Sequence, residues 1–558
     1  MSEHEPPAGT PEYLEGGLGR PLPPAPPAET PAGTPRRGRR AWWVGGGVVA
    51  LLGAGAGAWA ALGFFHQGDQ PAEALPAATV VYLSVDLDPA GGQKIDAFRT
   101  LNKFPAFKDE VGIDSVGELR HKLGTELVSQ AGCADLDYDK DIDPWLGDRA
   151  AVALVDLPGA APDSVVVVQV TDEQKARTGL ALLNSCATNT TGHTAGYVVK
   201  NGWAVLADDQ AYADKVADAA AHDTLADDAT YQKWTKAVGE AGVVNAYASP
   251  DAGRLMAQKL TGFFAGNQMM LPGGVGFTAT APGTAQTVPA DDESDPFSEA
   301  LSSFHGGAAT LRFTGGGLEL ALAGDGSSSQ LQALTGTTGG ELARRLPGDT
   351  AAALSVSLPP GWLSKRLDAV SGMFGASMSS DDLARELEQA TGLKVPDDIE
   401  TLLGSGAAVS LSKDFDFEAA ENSEDGTGLP VGVTVKGDPA AIEQVLDKIR
   451  ATSGDAPFLG SDHAGDLEAI GPTPAYRQRL LAGGDLGDDD TFRSVVPDAA
   501  SASSVFYLDV DAIEPQIQKL AAGGDPEDLA NLTPLRAIGV STWTDGGVTR
   551  FSFKLSTN

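Results

Sequence analysis

This sequence of 558 residues is short of basic residues and of the motifs that mark common enzyme families. Lys and Arg number 39 against 76 Asp and Glu, which gives a formal net charge of −37. Such a surface repels nucleic acid, because binding depends on cationic side chains that neutralise phosphates. No HExxH, GxSxG, P-loop or GxGxxG motif is present. We therefore expect no nucleic-acid partner, and the sequence predicts no catalytic residue and no cofactor.

Cysteine is also scarce, since Cys133 and Cys186 are the only two in the chain. In an oxidising compartment a single pair favours a disulfide, and two buried free thiols are the alternative. The bond would close a loop of roughly 54 residues, worth about 4 kcal/mol in the chain-entropy model. No CxxC motif accompanies the pair, so a metal or redox role has little support.

A long uncharged stretch occupies residues 41–65, directly after Arg36, Arg37, Arg39 and Arg40. As a helix it would measure about 37 Å, which exceeds the ~30 Å hydrocarbon core of a bilayer. The stretch therefore predicts one transmembrane helix and the membrane as a partner. The positive-inside rule then predicts a single-pass protein of the cell membrane, with a cytoplasmic N-terminus and an extracellular C-terminal domain. A cleaved secretory signal is the alternative.

The segments on either side of this stretch have the composition of connectors. Residues 1–40 contain ten prolines and almost no large apolar side chains, which predicts a disordered cytoplasmic tail. Residues 66–74 read as a short linker into the folded part.

The exported part contains an internal duplication, because five patterns recur in the same order. Leu75-Pro-Ala-Ala-Thr79 corresponds to Leu346-Pro-Gly-Asp-Thr350, and each leads into an alternating strand. Leu225-Ala-Asp-Asp-Ala-Thr-Tyr231 corresponds to Leu486-Gly-Asp-Asp-Asp-Thr-Phe492. The remaining matches are strand patterns at 149–154 and 406–411, strand–helix patterns from 165 and 431, and glycine-turn hairpins at 309–318 and 540–548.

These repeats predict two copies of one mixed strand and helix unit, at 75–330 and 346–558. The first copy carries a loop insertion at 266–300 that is rich in Gly, Pro and Thr. Half-buried strands combined with amphipathic helices indicate the α+β class, with largely antiparallel sheets.

The best candidate for a cation site is a run of alternating carboxylates at Asp135, Asp137, Asp139, Asp141 and Asp143. A calcium loop needs a glycine at its sixth position and a glutamate at its twelfth. Lys140 and Leu146 occupy those positions when the loop starts at Asp135, so a solvated acidic linker is the competing interpretation.

Three stretches resemble an uncharacterised actinobacterial family of single-pass membrane proteins with an exported domain of unknown function. They are Leu75-Pro-Ala-Ala-Thr-Val-Val-Tyr-Leu-Ser-Val-Asp-Leu-Asp-Pro89, then Gly92-Gln-Lys94 with Lys103-Phe-Pro105, and Pro144-Trp-Leu-Gly-Asp-Arg-Ala150. The resemblance covers most of the chain after residue 65. It implies a location but no activity and no catalytic residues.

The leading functional hypothesis is a non-enzymatic binding or scaffolding module at the cell envelope, with an envelope protein or a cell-wall ligand as its partner. One alternative is an envelope hydrolase or transferase that uses carboxylates between the two halves, such as Asp86 and Asp88. The other is a calcium-stabilised extracellular module.

Overall fold

The computed structural model covers most of the region after residue 69. It describes residues 70–86, 92–107, 121, 125, 133, 136–191, 194–255, 304–325, 335–364, 384–385, 388–389, 391–423, 428–453, 457–520 and 530–558. All of them belong to one compact unit, Trp43–Asn558. The predicted tail, the stretch at 41–65 and the insertion at 266–300 lie outside the described residues.

The described residues form a single sheet of 16 strands in which every pairing is antiparallel. The strands are β1 (Thr79–Asp86), β2 (Leu146–Val155), β3 (Asp163–Val170), β4 (Gly196–Lys200), β5 (Trp203–Ala207), β6 (Val244–Ala248), β7 (Gly307–Thr314), β8 (Gly317–Asp325), β9 (Thr350–Ser357), β10 (Gly406–Ser412), β11 (Val431–Lys436), β12 (Ser461–Ala464), β13 (Leu467–Ile470), β14 (Ser504–Asp509), β15 (Leu535–Asp545) and β16 (Val548–Thr557).

The strand order is β12-β13-β11-β10-β9-β14-β15-β16-β8-β7-β6-β1-β2-β3-β5-β4. Read outward from the β16–β8 pair, the two halves have the same order, with each strand number raised by eight in the second half. The sheet therefore has two topologically equivalent halves that meet at β8 and β16.

Helices cover both faces of this sheet, but not evenly. They are α1 (Gln93–Leu101), α2 (Glu173–Thr191), α3 (Gln210–Ala220), α4 (Ala229–Val238), α5 (Thr338–Arg344), α6 (Asp397–Leu403), α7 (Phe417–Glu421), α8 (Pro439–Ser453), α9 (Pro474–Ala482), α10 (Asp490–Val495) and α11 (Val510–Leu520). The first face packs against α3 and α4 in one half and against α5, α9 and α10 in the other. On the second face, α2 and α8 pack over the outer strands, and α1 packs against Phe313.

The repeated sequence patterns make the same contacts in both halves. The hydroxyl of Thr79 donates to the carbonyl oxygen of Pro76 at 2.7 Å, and Thr350 bonds to Pro347 at the same distance. This bond closes the turn that leads into β1 or β9, which explains why Leu-Pro-x-x-Thr recurs.

The second repeated pattern places an aromatic ring against the sheet. Tyr231 contacts Tyr247 edge to face at 5.1 Å between ring centroids, and Phe492 contacts Tyr507 at 5.2 Å. Such pairs stabilise a core beyond their buried area.

Two parts of the fold prediction are wrong. The halves do not have separate sheets, because β8 pairs with β16 across nine residue pairs and joins them into one. This pairing gives both strands a neighbour on each side and so removes two sheet edges, which periodicity within a segment does not reveal.

The second error concerns the membrane helix, since no helix among the described residues is long and apolar enough to cross a membrane. That prediction rested on composition alone, in a segment with seven glycines and seven alanines. The unit boundaries at 75–330 and 346–558 stay predictions.

The predicted linker at 66–74 ends in ordered structure. Pro71–Ala74 form a 3₁₀ turn, and Ala72 and Leu75 are buried in the core of the first half. The folded part therefore begins before β1.

Candidate functional site

The aspartates predicted as a calcium site do not converge where the structure describes them. Among the described residues, no group of three His, Cys, Asp or Glu side chains could hold a metal ion. Asp135 lies outside that part of the chain. The other four have separate partners. Asp137 contacts Lys140, and Asp139 contacts His121. Asp141 accepts a hydrogen bond from the backbone N–H of Asp137, and Asp143 accepts one from the hydroxyl of Tyr138. A hydrogen bond from Lys140 lowers the pKa of Asp137.

Cys133 and Cys186 are joined by a disulfide, with their Cα atoms 5.7 Å apart. Cys186 lies on α2, so the bond ties residue 133 to the helix that packs over the outer strands of the first half. The bond therefore constrains a loop with a sequence separation of 53 residues.

Asp86, one of the two carboxylates named for a hydrolase or transferase, forms a buried ion pair. Asp86 accepts a hydrogen bond from Nε of Arg149 at 3.0 Å, and both side chains are buried. Asp88 lies outside the described residues. No observation on Asp86 favours a catalytic role, because its charge is matched within the sheet.

A polar cleft of about 400 Å³ lies beside α5 and is lined by side chains of both charge signs. They include Arg344, Arg345, Asp485 and Asp488. Because both cations and carboxylates line it, the cleft does not favour a ligand of one charge.

A line of apolar side chains crosses the second face of the sheet. Seven residues on seven neighbouring strands are directly opposite one another in register, and opposite residues of an antiparallel pair project from the same face. We call them the central apolar row: Val409, Leu354, Phe506, Val540, Phe553, Leu320 and Leu311. The row crosses the β16–β8 pair and so extends over both halves.

Part of this row is open to solvent. Leu354 is 55% exposed, Val409 44% and Phe506 37%, whereas the other four are half-buried. Leu322, one alternation further along β8, is also exposed. Leu354, Val409 and Phe506 lie on neighbouring strands, and contiguous exposed apolar surface often marks an interaction site.

The serines that alternate with these residues lie inside the protein. Ser355 follows Leu354 and is fully buried, and its hydroxyl donates to the carbonyl oxygen of Gly339 in α5 at 2.8 Å. Ser410 follows Val409 and lies 3.1 Å from the hydroxyl of Tyr476 in α9. The usual alternation of apolar residues inside and polar residues outside is therefore reversed in β9 and β10.

The sheet must approach α5 closely at this point, which explains the buried serines. A Cβ added at Gly339 would lie 2.4 Å from the carbonyl oxygen of Ser503. Small hydroxyl side chains allow this approach and satisfy buried polar groups of the helix. The larger apolar side chains are left on the opposite face.

Charged residues beneath the row, on the first face, bind the two halves together. Glu319 on β8 pairs with Nε of Arg312 at 3.0 Å and with Nζ of Lys554 at 3.5 Å. Arg312 also donates to the carbonyl oxygens of Val238 and Glu240 at the end of α4. One buried carboxylate thus links β7, β8 and β16.

A family model matches residues 44–448 and is described as Protein of unknown function (DUF3352). The chain belongs to the DUF3352 family. No curated protein and no solved structure matches the chain. The DUF3352 match begins inside the apolar stretch at 41–65 and ends inside α8. It therefore contains Leu311, Leu320, Leu354 and Val409 of the central apolar row.

Beyond the DUF3352 match, Glu468 on β13 is a buried carboxylic acid. It is 1% exposed, and its Oε2 atom has no hydrogen-bond partner among the described residues. Burial raises its pKa to about 7, the charge of Glu443 adds to the effect, and His463 opposes it. A carboxyl group in this position is most stable in its neutral form.

Sequence reasoning missed the central apolar row, Glu319 and Glu468. For the row, the signal in the sequence is that Leu354-Ser355 and Val409-Ser410 both place a large apolar residue directly before a serine, in two strands that pair in the sheet. Either face of such strands could be the buried one, and only the position of the helices decides.

Proposed function

We propose that this DUF3352 chain is an exported, non-enzymatic binding module that holds an apolar ligand on the central apolar row. The observation that carries the proposal is the reversal at β9 and β10, next to an exposed phenylalanine on β14. Leu354, Val409 and Phe506 are exposed while the neighbouring Ser355, Ser410 and Tyr507 are buried.

The energetic argument follows from burial. Covering a Val, Leu or Phe side chain stabilises a protein or complex by about 1.5–3 kcal/mol relative to leaving it exposed. A ligand that covers three such side chains in contact therefore recovers several kcal/mol, before the cost of association.

Location outside the cytoplasm is part of the same proposal. It is supported by the Cys133–Cys186 disulfide, since disulfides persist in oxidising compartments. The resemblance to an actinobacterial family with an exported domain supports it further. Protease treatment of intact cells tests it, and digestion only after lysis would contradict it.

Binding is tested with a neutral apolar dye, Nile red, titrated into the purified full chain. The variant Leu354→Gln with Phe506→Gln removes the two largest exposed side chains of the row. We expect its affinity for the dye to fall about ten-fold, since roughly 1–2 kcal/mol of apolar contact is lost. Exposed positions tolerate polar substitution within about 0.5 kcal/mol of stability, so the fold should persist.

Matched controls are available because two other large apolar side chains are equally exposed elsewhere. Leu182 on α2 is 45% exposed, and Phe458 in the 3₁₀ turn Pro457–Leu459 is 50% exposed. Leu182→Gln with Phe458→Gln should bind the dye like the wild type. Equal losses in both double variants would show that exposure alone, and not the row, determines dye binding.

A further inference from the structure

The sheet ends in two edge strands, β4 in the first half and β12 in the second. They are equivalent, since each is the first strand of a hairpin with a two-residue turn that leads into β5 or β13. An edge strand presents backbone N–H and C=O groups on its outer side, where another chain can pair with them. The two edges differ in what covers these groups.

Side chains close the outer side of β4. The amide of Gln210 on α3 binds both backbone groups of Tyr197, accepting from its N–H and donating to its carbonyl oxygen at 3.1 Å each. The guanidinium of Arg177 on α2 donates to the carbonyl oxygen of Val199 at 2.6 Å. An incoming strand would have to displace these contacts.

The outer side of β12 is open at the corresponding positions. The carbonyl oxygen of Gly460 accepts a hydrogen bond from Gly471 at 2.9 Å, so this residue faces β13. Because backbone groups alternate in direction along a strand, Asp462 also faces β13, whereas Ser461 and His463 face outward. Among the described residues, nothing bonds to the outward backbone groups of these two.

The first missing cap follows from a proline. Gln210 lies two residues before the buried Tyr212 of α3, and Pro474 lies two residues before the buried Tyr476 of α9. A proline side chain has no donor or acceptor, so α9 cannot close the edge as α3 does.

The second missing cap follows from a change of charge. Arg177 comes directly after the buried Ala176 of α2, and Glu443 comes directly after the buried Ile442 of α8. A carboxylate only accepts hydrogen bonds and therefore cannot bind a backbone carbonyl oxygen.

One cap is common to both edges and limits the open stretch. Asn184 on α2 binds both backbone groups of Ala195, at 2.9 Å and 2.8 Å. Arg450 on α8 donates to the carbonyl oxygen of Leu459 at 2.6 Å. The open part of the second edge is therefore short, and the contact it offers is small.

We propose that the outer edge of β12 binds an extended peptide segment of a partner protein, which adds to the sheet as a further strand. Ser461 and His463 present two N–H donors and two carbonyl acceptors along an extended backbone, and a second extended backbone has the matching pattern. This contact is separate from the central apolar row and goes beyond the proposed function.

A second copy of the chain fits this edge less well. Two copies that use both outward residues must align Ser461 with His463 of the other copy, which places Asp462 opposite Asp462. Like charges directly opposite each other destabilise an antiparallel pair. A partner peptide is free of this constraint.

The probe is a fluorescently labelled peptide of alternating threonine and valine, titrated into the purified full chain and followed by anisotropy. Methyl groups on alternate backbone nitrogens leave it one hydrogen-bonding edge, so it cannot form sheets with itself. We expect it to bind and to slow amide exchange at Ser461 and His463. The same peptide with every nitrogen methylated should not bind. Equal binding of both peptides, or no binding at about 1 mM peptide, would overturn the proposal.

Two variants at His463 separate the backbone from the side chain. His463→Pro removes the outward N–H, which makes no bond within the sheet, so an edge strand tolerates it. His463→Ala removes the imidazole and keeps that N–H. The proline variant should bind the peptide about ten-fold more weakly than the alanine variant, because one backbone bond is lost and a peptide carbonyl is left unpaired. Equal affinities would overturn the proposal.

Pro474→Gln provides a second test that leaves β12 unchanged. It gives α9 the amide that closes β4 and should weaken peptide binding, whereas wild-type affinity in this variant would argue against the open edge as the site. A concentration-dependent dimer that His463→Pro abolishes would show that a second copy occupies the edge instead. Urea unfolding of each variant verifies that the fold is kept.

Discussion

Glu468 provides a prediction whose sign and size follow from the structure. The carboxyl group lies on β13, opposite His463 on β12 and Val435 on β11, with only 1% of the residue exposed. Burial is the main cause that raises its pKa from 4.5 to about 7, and the charges of Glu443 and Asp462 act in the same direction. His463 and Arg450 on the neighbouring elements lower it, but by less.

The native state therefore holds this proton over a pH range in which the unfolded chain has lost it. Between about pH 4.5 and pH 7 the native state binds more protons than the unfolded state, so the free energy of unfolding falls as pH rises. Each pKa unit corresponds to about 1.4 kcal/mol, which makes the total loss about 3 kcal/mol. Below pH 4.5 both states are protonated, and this group contributes no slope.

Glu468→Gln keeps the shape of the protonated acid and cannot ionise. We expect the variant to match the wild type near pH 4.5 and to exceed it by up to about 3 kcal/mol at pH 8. Urea unfolding at several pH values from 4.5 to 8 measures the difference. Glu418→Gln, at an exposed position on α7, should follow the wild-type curve.

Other carboxylates act in the opposite direction and outside this window. Burial alone would raise the pKa of Glu443, but hydrogen bonds from Arg450 and Ser461 outweigh it and lower the pKa. Its stabilisation is present above its unfolded pKa and is lost only as pH falls further. If the wild type and Glu468→Gln show the same slope between pH 4.5 and pH 7, the argument for a neutral buried acid is refuted.

Two further predictions concern the links that hold the sheet together. Glu319→Gln leaves Arg312 and Lys554 without their carboxylate where β8 meets β16. Breaking a buried ion pair leaves the remaining charges buried and uncompensated, so we expect the free energy of unfolding in urea to fall by about 3 kcal/mol. Replacing Cys133 and Cys186 by serine opens a loop with a sequence separation of 53 and should cost about 4 kcal/mol in the chain-entropy model.

Each of these has a matched comparison. Glu341→Gln removes a half-exposed carboxylate that pairs with Lys436, so it should cost at most about 1 kcal/mol. An equal loss at Glu319 and Glu341 would argue against a special role of the ion pairs at the β16–β8 pair. Reductant should destabilise the wild type and leave the double serine variant unchanged, and no effect on the wild type would mean that the thiols are not bonded.

Local features of the fold could be predicted from the sequence because short-range chemistry determines them. The Leu-Pro-x-x-Thr pattern predicts a turn into a strand, and the bonds of Thr79 and Thr350 close that turn. Alternating segments predicted most of the strands, and their repetition predicted two equivalent units. The two cysteines predicted a disulfide, and the fold brings their Cα atoms to 5.7 Å, within the range that a disulfide requires.

Long-range features could not be predicted in this way. The residues of β8 and β16 do not specify that these two strands pair with each other, because alternation within a strand does not identify its neighbour. The central apolar row escaped for a related reason. The alternation of Leu354 and Ser355 shows that the two faces of β9 differ in polarity. Which face is buried depends on the close approach of Gly339, which lies on a separate helix.

The central claim is that the central apolar row binds an apolar ligand, and photo-crosslinking tests it most directly. The probe is a long-chain alcohol with a diazirine near its end, irradiated with the purified full chain, and the labelled peptides are identified by mass spectrometry. The account predicts labels on β9 and β14, around Leu354 and Phe506, that excess tetracosanol removes. Labels distributed equally over Leu354, Leu182 and Phe458, and insensitive to tetracosanol, would contradict it.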